Sequence, residues 1–231
     1  MSHSSEFPTL VVINDTPIKV TPPSVVLLTS IISGSALWSR WRHPEGEWGR
    51  HILVGLIGGG LALVADIGHG LAHSVSSQRV GAPMREIRVT FVALSVYDDD
   101  PSITPRQHIG RALGGPIYSA SLAALSWLWL RSSTSDTLHH DAATISLGLN
   151  LLTLGGSLLP IKYVDVGSIL KWSLVEGGQS EAQADEALRV ASAATGVAAA
   201  AISGVSFARR WWLPALIGLG VSIAALIAAR R

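Results

Sequence analysis

Residues 52–75 read Ile-Leu-Val-Gly-Leu-Ile-Gly-Gly-Gly-Leu-Ala-Leu-Val-Ala-Asp-Ile-Gly-His-Gly-Leu-Ala-His-Ser-Val, and this stretch decides the fold class. It is long enough to cross a hydrocarbon core of about 30 Å as a helix, yet it carries one carboxylate and two imidazoles. Ionisable groups inside such a segment are costly and mark function. On a helix, His69 and His73 stand one turn apart and present both rings on one face. That spacing suits two nitrogen ligands to one zinc ion, and equally a hydrogen-bonded pair inside a helix bundle.

Working outward, further apolar stretches lie at about 24–39, 112–130, 143–160, 190–208 and 211–229. Together with 52–75 they predict an all-α polytopic membrane protein, a six-span helical bundle. The fourth stretch meets Pro160 and is expected to continue beyond it as a broken helix. The predicted organisation is an N-terminal cytoplasmic segment at 1–23 followed by one membrane domain at 24–231. The composition agrees: 48% of the 231 residues are hydrophobic and 14% charged, against roughly 25% charged in soluble domains. A soluble enzyme is excluded on that ground. The net charge of +1 gives no basic field for nucleic acid, and the absence of cysteine removes disulfides and thiolate zinc sites. The chain opens polar and Pro-rich, so no signal peptide is expected.

With six spans, 11 of the Lys and Arg residues fall on the side of the termini and 6 on the other. The positive-inside rule then places both termini in the cytoplasm. Seven of the eight tryptophans, all but Trp172, cluster at the opposite ends of the spans, where indole favours the headgroup boundary. Residues 9–20 read as two short β-runs around Asn14-Asp15, and 87–97 are rich in β-branched and aromatic residues. They are expected to pair into a small cytoplasmic β element. Residues 180–189 read as a short surface helix with Ser180 and Gln183 at capping-box spacing. The Ala/Gly/Ser-rich last two spans predict close helix packing.

A third ligand-type residue follows Pro160. The break at Pro160 frees backbone groups, and a carboxylate at Asp165 can supply an oxygen ligand beside His69 and His73. Asp66 is expected to accept a hydrogen bond from His69 or a neighbouring helix, and is a weak alternative as a base. His139-His140-Asp141 and Asp98-Asp99-Asp100 read as solvated loops, and His108 as an interface side chain.

In this ordered set the sequence resembles the site-2 proteases, polytopic intramembrane zinc metalloproteases. Their His-Glu-x-x-His corresponds to His69-Gly70-Leu71-Ala72-His73, their Gly-Pro to Gly115-Pro116, and their Asn-x-x-Pro-x-x-x-x-Asp-Gly to the run from Ser157 through Pro160 to Asp165. The resemblance implies zinc held by His69, His73 and Asp165, with Gly115, Pro116, Ser157 and Pro160 contributing to substrate or partner binding. Three positions depart from the pattern: Ser157 replaces Asn, Val166 replaces Gly, and Gly70 replaces the catalytic Glu. General acid–base catalysis of this kind contributes about 10²–10⁴ in rate, and glycine has no group to supply it. The implied function is therefore that of a pseudoprotease, binding or scaffolding transmembrane segments or other membrane proteins. The alternatives are an active intramembrane zinc metalloprotease with an unorthodox base, and a metal-free structural subunit of a membrane complex. The implied location is a bacterial or archaeal inner membrane.

Overall fold

The computed structural model describes residues 7–230; the first six residues of the N-terminal segment and Arg231 lie outside the described residues. The chain forms two compact units, one of residues up to 101 with 113–155, the other of 102–112 with 156 onward.

The first unit opens with strands β1 (Thr9–Ile13) and β2 (Thr16–Val20), which pair antiparallel. Asn14 and Asp15 both take positive φ, 50° and 56°, as a two-residue hairpin turn of matching twist requires. Two helices follow, α1 (Pro22–Arg42) and α2 (Trp48–Arg79), and then β3 (Glu86–Val89) and β4 (Ala93–Val96). The stretch 87–97 is thus a hairpin turning at residues 90–92, because Thr90 N–H reaches back to the Val92 carbonyl. The sheet order is β1-β2-β3-β4, with β2 and β3 parallel. A parallel pair needs a long crossover, and α1 with α2 provides it. The expected pairing of the two β segments is present.

One sheet face rests on α2. Ile18, Met84, Ile87 and Val89 are buried there, with Ile67, Leu71, Ala93 and Tyr97 packed around them. Polar bonds fix the register: Thr16 Oγ1 lies 2.6 Å from Ser74 Oγ, and Asn14 and Gln78 exchange two hydrogen bonds of 2.7 and 2.6 Å. Glu86, only 2% exposed, takes Lys19 Nζ at 2.6 Å and Arg88 Nη2 at 2.5 Å. On its other flank α2 meets α1 through Gly55, Gly58 and Gly59, where a Cβ would run into Ile32 and Ser35. Small residues allow this approach where lipid offers no hydrophobic drive between helices.

Helix α3 (Pro105–Ser132) starts in the second unit and continues into the first, where α4 (Leu138–Ser157) completes the set. His139, His140 and Asp141 are a correction to the sequence reading, since they stand in the first turn of α4 and Asp141 is fully buried. Its carboxylate meets Arg50 Nη2 at 2.5 Å and His43 Nε2 at 3.2 Å. Partners 91 and 98 residues away in sequence draw it inside. Asp98 is in an exposed loop as expected, 3.2 Å from Arg85.

In the second unit, α5 (Asp165–Glu176), α6 (Glu181–Ala208) and α7 (Trp212–Ala229) follow the break after Ser157. Ser180 and Gln183 form a complete capping box. The expected short surface helix at 180–189 is not separate, however: it is the first part of α6, which runs 28 residues without interruption. Helices α6 and α7 pack closely, with Gly196 against Leu226 and Gly218 against Ala199 and Ser203. His108, at the start of α3, stacks on Trp172 of α5 with ring centroids 3.7 Å apart.

A helix occupies each of the six stretches read as spans, and α5, at 12 residues, is an additional one too short to cross. Among the described residues three helices, α2, α6 and α7, are long and apolar enough to cross a membrane. The six crossings expected from sequence are therefore matched for three. In α3 the run at 112–130 is diluted by Gly114, Gly115, Pro116, Tyr118, Ser119, Ser121 and Ser126, and α4 begins with the polar His139, His140 and Asp141.

Burial pushes the Glu86 carboxyl up, but the bonds and charges of Lys19 and Arg88 outweigh it and hold it below the usual glutamate range. A depressed folded value means stability that is present above the ordinary glutamate pKa and lost as pH falls through the lowered one. The protection of β2 and β3 amides, relative to their intrinsic exchange at each pH, should therefore fall on acidification below about pH 4. In Glu86→Gln that protection should already be lower at pH 7 and should change less on acidification.

Candidate metal centre

His69 and His73 lie in the lower half of α2, where the 100° turn per residue stacks them on one face. Their Nε2 atoms face each other at 3.1 Å. At that separation both nitrogens could serve one ion as ligands. His73 is 3% exposed. His69 Nδ1 is 2.9 Å from Ser119 Oγ of α3, and Ser119 is fully buried.

The pair needs clearance, and α3 provides it. A Cβ on Gly115 would overlap Nε2 of both histidines, and one on Gly114 would overlap the Ala72 carbonyl and Ser76 Oγ. Pro116 follows inside the helix, and two residues later Tyr118 OH donates to the Val64 carbonyl at 3.0 Å. The residue types and spacing fit a metal ion: two imidazole nitrogens aimed at one point, with the backbone opposite stripped of a side chain.

Gly70 points elsewhere. A Cβ there would sit 3.3 and 3.4 Å from Ile87 Cγ2 and Cδ1 and 3.6 Å from Ala93 Cβ. A side chain at position 70 would therefore start against the β3–β4 hairpin, and Ile87 would have to give by a few tenths of an ångström to admit its first carbon. Asp66, one turn before His69's neighbour Gly70, accepts the Ala93 N–H at 2.9 Å. Asp66 thus bonds to a strand, where the sequence reading expected His69 or a helix. No local pattern points to this partner, because the hairpin's approach depends on the sheet register.

Asp66 also lines an apolar cavity of about 620 Å³ in the first unit. Its walls include Val25, Leu28 and Ile32 of α1, Phe91 and Val92 of the hairpin, and Leu152 of α4. No single motif announces this cavity, since its walls come from α1, α2 and α4 and from β1, β2 and β3.

Asp165 stands in the second unit as the first residue of α5, half-buried. Ser157 is the last residue of α4 and is buried. Between them the chain turns at Pro160, with Ile161 N–H on the Leu159 carbonyl at 2.8 Å and Val164 N–H on the Ile161 carbonyl at 3.1 Å. Tyr163 takes φ 71°. Ser168 N–H then bonds to the Val164 carbonyl at 2.8 Å, which starts the helix and places Asp165 in its first turn. A carboxylate is favoured there by the helix dipole. Val166 stands where glycine was expected, but the close approach is made at Gly167, where a Cβ would overlap the Ile161 carbonyl.

No protein-family model matches this sequence, and no curated protein matches it. Among solved structures it is similar to the site-2 protease from Methanocaldococcus jannaschii, with a TM-score of 0.59 over 97% of this chain and 96% of that one. The fold is that of a site-2 protease. At 17% identity the likeness lies in the fold, and it agrees with the resemblance read from the ordered motifs. With its three apolar helices, the site-2-protease-like chain is an integral membrane protein.

Gly115→Ala should crowd both imidazoles and destabilise the protein by about 1–3 kcal/mol, the usual cost of overpacking. Gly148→Ala in α4, where a Cβ meets nothing within 4 Å, should be neutral or stabilising by up to about 1 kcal/mol. Thermal melting of both variants in detergent tests the contrast.

Proposed function

We propose that this chain is a zinc-binding, proteolytically silent relative of the site-2 proteases that holds apolar membrane segments without cutting them. The observation that carries this reading is the surrounding of Gly70, where Ile87 and Ala93 close over the position that would need a carboxylate. His69 and His73 would hold the ion, with Asp165 as the third, oxygen ligand implied by the motif order. A bound zinc ion supplies Lewis-acid polarisation and lowers the pKa of water. This chain's own residues provide the ligands and the clearance at Gly115, but position 70 provides nothing that can take a proton. Asp66 is no ready substitute, since its side chain tilts toward the N-terminal end of α2 and holds the Ala93 N–H.

The binding role rests on two surfaces of the first unit. The apolar cavity lined by α1, α2, α4 and the hairpin suits side chains of a membrane segment. Strand β1 lies at the sheet edge with all five residues exposed, including Leu10, Val11, Val12 and Ile13, and an edge strand can pair with an extended segment. Gly115, Pro116, Ser157 and Pro160 would border such a segment in the resembled family. The proposed topology has six crossings, with both termini on the cytoplasmic face of an inner membrane. Reporter fusions at the C-terminus and in residues 131–137 should report opposite compartments.

Purified protein should carry about one zinc per chain, lost in His69→Ala and His73→Ala, and should not cleave a membrane-segment substrate. Metal-free wild-type protein would defeat the zinc assignment. Robust cleavage by the wild type, abolished by chelator and by His69→Ala, would overturn the silent assignment. Gly70→Glu alone should remain inactive and lose about 1–3 kcal/mol of stability, because the new side chain must displace Ile87.

A further inference from the structure

The histidine pair has a tautomer problem. Neutral imidazole carries its proton on one nitrogen only. At 3.1 Å between the two Nε2 atoms, a hydrogen bond within the pair needs one Nε2–H to donate to the other's lone pair. To ligate one ion, both Nε2 atoms must be bare, and both protons must sit on Nδ1.

We propose that Ser119 is the positioning residue that sets His69 in the ligating tautomer, an inference that rests on the metal reading of His69 and His73. Its Oγ lies 2.9 Å from His69 Nδ1 and is fully buried; with a hydroxyl lone pair turned to the ring it accepts the Nδ1–H and leaves Nε2 bare. Metal-bound histidines generally donate their second ring N–H in this way, which fixes ring orientation and raises ligand basicity. Ser119 follows Gly115 by four residues on α3, so both lie on one helix face. Gly115 clears the space in front of the Nε2 atoms, and Ser119 holds the far side of one ring. A single helix face thus provides room for an ion and the proton placement that an ion needs. Alanine at 119 removes the hydroxyl that faces His69 Nδ1. The ring then gains by moving its proton to Nε2, where it can donate to His73 and where it blocks the ion.

The test compares Ser119→Ala and Ser119→Thr with the wild type, using Ser121→Ala as control. Ser121 is an exposed α3 serine whose hydroxyl bonds back to the Ile117 carbonyl at 2.8 Å. Zinc affinity is read by competition with a chelator, and the ligand field by the visible spectrum of the cobalt(II)-loaded protein. Ser119→Ala should weaken zinc binding by about 10–100-fold and shift the cobalt bands. Ser119→Thr, which keeps the hydroxyl, should restore most of the affinity, and Ser121→Ala should leave it unchanged. Equal affinity and an unchanged spectrum in Ser119→Ala, with a wild type that binds zinc, would overturn the role of Ser119 and leave the metal reading standing. A wild type that takes up no zinc would overturn both. Nitrogen-15 NMR of the metal-free wild type is independent of how well the variants fold. It should find His69 protonated at Nδ1, and a proton at His69 Nε2 would defeat the inference.

Discussion

The close approach of neighbours to α2 is the constraint on which the first unit depends. Between membrane helices there is no hydrophobic drive, so packing rests on dispersion and on small residues that let backbones meet. Helix α2 is built for this on several faces. Gly55, Gly58 and Gly59 take α1, Gly68 takes the Tyr118 ring of α3, and Gly70 takes Ile87 of β3. Ala72 and Ser76 lie so close to Gly114 that no side chain fits on the α3 partner. The same approach of α3 that packs the helices brings Gly115 in front of the two imidazoles and Ser119 behind one of them. Packing and site geometry are one event here.

The glycine at position 70 has the opposite consequence. A hydrolytic site needs a proton acceptor at hydrogen-bond distance from the attacking water, which a buried carboxylate can be only if the surroundings leave it room and partners. Here the hairpin uses that room for apolar packing, and Asp66 anchors the hairpin by taking the Ala93 N–H. The loss of the carboxylate and the seating of β3 and β4 reinforce each other. Restoring the acid without moving Ile87 would exchange apolar contact for a crowded, poorly solvated charge.

The first unit also holds a buried ionic cluster that the metal-centre residues do not explain. Asp141 is fully buried among Arg50, His43 and, at 3.9 Å, Arg42. Buried pairs of this kind contribute little net stability, but removing one partner is expensive, about 3–5 kcal/mol, because it strands the other's charge. Through Arg50 and His43 the start of α4 is tied to α2 and to the end of α1. Beside it His51, also fully buried, bridges Ser39 Oγ and the Gly46 carbonyl at 3.0 Å each. These bonds fix the α1–α2 turn, and their specificity comes from direction rather than from burial of area.

The sequence by itself determined the helical membrane class, the hairpin turn at Asn14-Asp15, the break at Pro160 and the pairing of His69 with His73. Each follows from a local period, a turn preference or a single residue's chemistry, so no knowledge of distant neighbours is needed. The ordered motifs also pointed to the fold that the structural likeness bears out. Only the tertiary structure decided that Asp141 is buried and not solvated, since its partners lie on other helices. The same holds for Asp66, whose bond to Ala93 depends on where a sheet lands. The continuity of α6 through residues 180–189 was hidden because polarity there reads as an end, while the helix simply runs on. The role of Ser119 was invisible for the plainest reason: a serine in a serine-rich span becomes informative only when the ring it faces is known.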